Sequence, residues 1–211
     1  MADTKRTLIP IKIFSSEIDG TISLILRLIG HRFDDSLLTT IGKESYIYTT
    51  DLHGYKIKIK IFPPIPGDRR SKNPIINWVK SVDGMVFVYS ITDRYSLNYV
   101  TELLEYLNEF YDSDDIFKYP LIIIGIKLDE EYSREVSYEE GQKIAKSYGC
   151  HFYEVSAETG ENVKIAFDDI FEQLYKKFEE EIKGEKLYKF EKSYKTFEKK
   201  LNKKLMDYID F

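Results

Sequence analysis

Cys150 and His151 are adjacent residues of the types that form a nucleophile and its general base. They head an apolar run, His151 to Val155, that reads as a strand. Neighbouring strand residues point to opposite faces, so the pair is read as structural. Cys150 is the single cysteine, which excludes a disulfide framework, a four-thiolate zinc site and an iron–sulfur cluster, and fits a reducing compartment. His31 and His53 have no companions at metal-ligand spacing. No catalytic residue and no metal ligand is expected. Charge is the other chemical feature: 31 basic against 36 acidic residues leave a net charge of −5, which argues against a nucleic-acid partner. Positive charge collects near the end, where residues 176–204 hold 11 lysines and 6 glutamates, a balance of +5 against −10 for the rest of the chain.

The elements that carry these residues are legible from hydrophobic pattern. Ile11 to Phe14, Met85 to Ile91 and Leu121 to Ile126 are short, strongly apolar and rich in β-branched residues, as buried parallel strands are. Helical spacing lies between them, as in Leu97, Val100, Leu103, Leu104, Leu107 and Phe110. The alternation predicts an α/β sheet with helices on its faces. In Ser45 to Phe62, Ile57, Ile59 and Ile61 alternate with Lys56, Lys58 and Lys60 after a turn at His53-Gly54, which predicts an antiparallel hairpin with one wet face. From Phe167 the pattern is helical through Ile182. Beyond Gly184, residues 185–211 predict a basic amphipathic helix bearing Leu187, Phe190, Tyr194, Phe197, Leu201, Leu205 and Tyr208. No run approaches the roughly 18 to 20 apolar residues of a membrane span, and the first residues lack the apolar core of a signal peptide, so a cytoplasmic protein is expected.

Val88-Tyr89-Ser90-Ile91-Thr92-Asp93, Gly125-Ile126-Lys127-Leu128-Asp129 and Glu154-Val155-Ser156-Ala157-Glu158-Thr159-Gly160 follow one another in that order. So arranged, with Glu140 to Ala145, Tyr148-Gly149-Cys150 and Asn162 to Phe167 among them, they resemble a Ras-superfamily small GTPase from about Ile11 to Phe178. Thr39-Thr40-Ile41-Gly42 is similar to the Rab form of the first switch, while Val88 to Asp93 is closer to Ras. The resemblance implies a GTPase domain over residues 7–182, with a mostly parallel six-stranded sheet and helices on both faces, followed by the C-terminal helix.

Against the family pattern, the nucleotide motifs are altered. The phosphate loop GxxxxGK[ST] wraps phosphates in backbone N–H groups and supplies a lysine and a magnesium-binding hydroxyl. The matching stretch is Ser15-Ser16-Glu17-Ile18-Asp19-Gly20-Thr21-Ile22, with Thr21 at the lysine position and Ile22 at the hydroxyl position. Glu17 and Asp19 add negative charge where a triphosphate would sit. The motif DTAGQ, whose Asp, Gly and Gln serve magnesium, the γ-phosphate and the attacking water, is matched by Pro63-Pro64-Ile65-Pro66-Gly67, in which none of these groups remains. Of NKxD, Lys127 and Asp129 remain and Ile126 replaces the Asn.

The resemblance therefore implies a degenerate small GTPase, an interaction module in signalling or vesicle traffic without efficient GTP hydrolysis. An alternative is a regulator that still holds GDP or GTP weakly through Lys127, Asp129, Ser156 and Ala157, with Gly20 and Thr21 at the phosphate end. No tightly bound cofactor is expected, and no magnesium. Protein partners are expected at residues 39–48 and 63–67 or at the C-terminal helix. The chain ends without a prenylation cysteine and residue 2 is Ala, so no lipid anchor is expected. The basic helix alone would give weak membrane-surface contact at most.

Overall fold

The computed structural model describes residues 7–33, 44–64, 73–110 and 119–183. Thr39 to Gly42, Ile65 to Gly67 and the expected helix 185–211 lie outside the described residues. The elements run β1 (Thr7–Ser15), α1 (Ile18–Leu28), β2 (Tyr46–Leu52), β3 (Tyr55–Phe62), α2 (Asn73–Val79), β4 (Gly84–Ser90), α3 (Arg94–Phe110), β5 (Leu121–Ile126), a 3-10 segment (Leu128–Ser133), α4 (Tyr138–Ser147), β6 (His151–Glu154) and α5 (Val163–Lys183). They build one six-stranded sheet in the order β2-β3-β1-β4-β5-β6. Every neighbouring pair is parallel except the β2–β3 hairpin.

Strand alternation divides the core in two. Ile9, Ile11, Ile13, Val86 and Val88 face α1 and α5, where Leu24, Ile25, Phe167, Ile170, Phe171 and Leu174 are buried against them. Phe14, Met85, Phe87 and Tyr89 face the other way, toward Trp78 on α2, Leu97 to Leu107 on α3 and Ala145 on α4. Because both faces are covered, β4 and β5 are buried at every position, and this is why their sequences are apolar except for Ser90 at the end of β4. Helix α4 starts on a reciprocal capping box: Ser137 Oγ accepts the Glu140 N–H, and Glu140 Oε2 accepts the Ser137 N–H.

The β2–β3 turn places His53 and Gly54 at φ +52° and +82°, the paired positive angles of a two-residue hairpin, and Asp51 Oδ1 accepts the Gly54 N–H at 3.0 Å. Along β3, Ile57, Ile59 and Ile61 do point into the core. The opposite face is drier than its sequence suggests, because Lys60 is 7% exposed with its ammonium 5.0 Å from the Phe62 ring, itself packed on Trp78. A long lysine stem can bury itself along such rings.

Candidate functional site

The β1–α1 junction holds the first of the motif residues. β1 ends at Ser15 and α1 begins at Ile18, so only two residues connect strand to helix. Glu17 is the N-cap residue: its carbonyl accepts the Thr21 N–H at 3.2 Å and also the Thr21 hydroxyl. Ile18, Asp19 and Gly20 are thus already helical. Thr21 is fully buried, with its side chain turned into the helix. Ile22, 6% exposed, belongs to the apolar core. The short junction is tightened by Ser15, whose hydroxyl accepts the Glu17 N–H at 3.0 Å.

The other motifs converge on this junction. A Cβ placed on Gly20 would lie 2.5 Å from Ile126 Cδ1, so the glycine makes room for the isoleucine that stands in place of the family's Asn. Ile126 is 1% exposed and ends β5. Lys127 follows with φ +69°, a left-handed conformation that is costly for a residue with a side chain, and its ammonium lies 3.8 Å from Glu130. The Leu128 N–H donates to Val155 O at 3.1 Å, which brings Lys127 and Asp129 beside Ser156 and Ala157. Ser156 is fully buried and its hydroxyl accepts the Thr159 N–H, so it shapes the loop from inside. Arg27, from the end of α1, donates to Thr159 O at 2.8 Å and packs against Gly160, fixing that loop to the helix. The half-exposed Asp129 carboxylate carries no hydrogen bond or ion pair among the described residues.

Electrostatics at the junction are acidic. Burial lifts the Glu17 carboxyl above its ordinary value; the Lys127 ammonium pulls it down, while the charge of Asp93, a side-chain hydrogen bond with Asp93, and the charge of Asp19 raise it further. Asp93 follows β4, and its Oδ1 accepts the Tyr95 N–H at the start of α3. At the end of β3, Pro63 and Pro64 are both buried, so of the expected partner surface 63–67 the described part faces inward. The Pro63 carbonyl accepts a hydrogen bond from Lys12 Nζ at 2.5 Å.

Of the residues singled out from sequence, Gly20, Lys127, Asp129, Ser156 and Ala157 are brought to one end of the sheet, while Thr21 is there but inaccessible. Arg27 and Lys12 were missed, and Asp93, quoted within the Val88–Asp93 motif, was given no part at the junction. Lys12 carried a signal, a lone charge within the apolar run of β1; the parts of Asp93 and Arg27 depend on long-range packing. Cys150 and His151 are kept apart, as expected: Cys150 Sγ donates to Ala145 O, whereas His151 Nδ1 pairs with Asp169 at 2.7 Å. Burial pushes the Cys150 thiol up to about 12, which removes it as a nucleophile near neutral pH.

A sheet of this order, with its motif residues gathered beyond the carboxyl ends of β1 and β5, defines a GTPase-type α/β domain, and the chain belongs to the Ras family, whose model matches residues 15–176. Among its relatives are the Ras-related protein Rab-15 of Mus musculus and the GTP-binding protein ypt2 of Schizosaccharomyces pombe, each 32% identical over 135 residues. These matches cover 64% of this chain and 61% and 65% of the two relatives, so they span less than two thirds of either relative's length. The Ras-like protein rasX of Dictyostelium discoideum is 39% identical over 77 residues, 36% of this chain and 35% of its own. Rab-like and Ras-like small GTPases are thus among the relatives of this chain. Among the described residues no helix is long and apolar enough to cross a membrane.

Proposed function

We propose that the chain is a Ras-fold protein-interaction module that has lost tight binding of a magnesium nucleotide and, with it, GTP hydrolysis. The observation that carries this reading is the β1–α1 junction: the residues that match the phosphate loop form the first turn of α1, and Ile126 packs against Gly20. A phosphate cradle needs several N–H groups turned inward around the anion, and here the Thr21 N–H is spent inside the helix. The free N–H groups of a helix N-terminus favour an anion, but the carboxyls of Glu17, Asp19 and Asp93 occupy that neighbourhood. Thr21 brings no charge and Ile22 no ligand atom for a metal. The residues present therefore do not fit a magnesium triphosphate.

Members of the Ras family act by binding protein effectors, and the same use of the scaffold, in signalling or vesicle traffic, is the role proposed for this chain. Calorimetry with GDP and with GTP, each with and without Mg²⁺, tests the reading. Each lost charge-assisted contact removes about 1.5 to 3 kcal/mol, and every 1.4 kcal/mol is about tenfold in affinity, so no binding below the millimolar range is expected. Magnesium-dependent phosphate release above a protein-free control in a single-turnover assay would refute it.

A second reading keeps weak guanine recognition, favoured by the Asp129 carboxylate, unengaged among the described residues, beside Ser156 and Ala157. Under that reading Asp129→Ala abolishes whatever binding calorimetry detects; equal binding by the variant discredits the base pocket.

A further inference from the structure

Lys12 is the one charged residue of β1 and is fully buried. An ammonium withdrawn from water is costly unless acceptors meet it, so what surrounds it is informative. Its Nζ donates to the Pro63 carbonyl at 2.5 Å and lies 4.6 Å from the centroid of the Trp78 ring and 5.9 Å from that of Phe14. Pro63 directly follows β3, and Trp78 sits on α2. One cation therefore ties the residue that follows β3 to the last turn of α2, through a carbonyl lone pair on one side and an aromatic face on the other. Sequence explains why a side chain is needed there. Pro63 and Pro64 have no N–H, so the backbone ladder of β3 has no donor with which to continue past Phe62.

We propose that Lys12 is a built-in clamp: its ammonium holds the start of the β3–α2 connection against α2, with no nucleotide or metal required. Lys12 is a positioning residue for the packing of α2 against the end of β3. The clamp stands on the buried cation and its neighbours and does not rest on the function proposed above. An apolar side chain of the same length fills the volume but gives the Pro63 carbonyl no donor and the ring no cation, so α2 loosens while β4, β5 and β6 keep their own packing.

Trp78 is the single tryptophan of the chain, so tryptophan fluorescence reports on the surroundings of this one ring. The experiment compares the full chain with Lys12→Met and Lys12→Arg, by acrylamide quenching of Trp78 and by amide hydrogen exchange over residues 60–62 and 75–82, each with and without GDP or GTP and Mg²⁺. In the parent chain, quenching is weak and unchanged by nucleotide. Lys12→Met raises amide exchange in α2 by about tenfold or more, the scale of one lost charge-assisted hydrogen bond, and raises quenching in parallel, with β4 to β6 still protected. Lys12→Arg, which keeps the cation, restores most of the protection. Unchanged quenching and exchange in Lys12→Met overturn the clamp. So does loss of protection throughout the sheet, because Lys12 would then support the whole core rather than this connection, and so does Lys12→Arg behaving like Lys12→Met. Nucleotide binding that leaves Trp78 unmoved overturns the proposed function and leaves the clamp standing; a Trp78 response to nucleotide in the parent chain overturns the clamp's independence.

Discussion

Gly20 and Ile126 make the packing at the former phosphate loop measurable through a double-mutant cycle. Gly20→Ala has two opposed effects. Gly20 is the third residue of α1, and alanine favours a helix over glycine by up to about 1 kcal/mol. The new methyl, however, falls 2.5 Å from Ile126 Cδ1, and overfilling a core site costs about 1 to 3 kcal/mol. With Ile126 only 1% exposed there is little room to yield, so the substitution is expected to be neutral to destabilising by about 2 kcal/mol. Ile126→Val deletes the Cδ1 atom and by itself costs about 0.5 to 1.5 kcal/mol. In that background the nearest remaining neighbours of the new methyl are Ile126 Cγ1 at 3.8 Å and Lys127 Cε at 4.0 Å, ordinary contacts, so Gly20→Ala becomes stabilising by up to about 1 kcal/mol. The expected coupling is about 1 to 3 kcal/mol. Urea unfolding of the four proteins measures it; additivity within about 0.3 kcal/mol means that the isoleucine does not fill the space above the glycine, and the reasoning fails.

Three further outcomes follow from buried or paired groups. The Tyr89 hydroxyl is buried without a hydrogen-bond partner among the described residues and is wedged against Gly125 and Gly141, where an added Cβ would meet it at 3.0 and 2.3 Å. Tyr89→Phe is therefore expected to be neutral or stabilising by about 1 kcal/mol in urea unfolding, and a clear loss of stability contradicts this. The Glu140 carboxyl is held down at about 2 by its paired hydrogen bonds to Arg94 and by the Ser137 N–H. Because its folded value lies below the ordinary 4.5, the stabilisation is complete above pH 4.5 and is lost as the pH falls toward 2. Its side chain is 43% exposed, so Glu140→Gln, which can retain the capping box, costs only about 0.5 kcal/mol, and stability curves of the two proteins should converge in acid. Finally, Cys150, raised to about 12 from 9.0, should react with a disulfide reagent at pH 8 about a hundredfold or more slower in the folded protein than in urea; equal rates would mean that the thiol is accessible.

The strands were legible because both sheet faces are covered: runs such as Met85 to Val88 and Leu121 to Ile124 have no polar position to confuse with a helix or loop. The hairpin could be read from its alternation and His53-Gly54 turn, yet Lys60 was placed in water because a lysine's burial depends on which rings cross its stem. Motif order located Lys127, Asp129, Ser156 and Ala157 at one end of the sheet, since residues just after parallel strands must gather there. Two things at the site were hidden. How far α1 reaches back toward β1 depends on Ser15 and Glu17 closing a two-residue junction, and that Ile126 rests on Gly20 is a contact between residues more than a hundred positions apart. The pairing of Lys12 with Pro63 and Trp78 was hidden for the same reason, although a lysine amid Ile11, Ile13 and Phe14 marked the place.

Native purification followed by denaturation and chromatography of the released small molecules tests the central claim most directly. A junction already helical at Ile18, flanked by acidic side chains and plugged by Ile126, should release no guanine nucleotide. Stoichiometric GDP or GTP in the supernatant would contradict it.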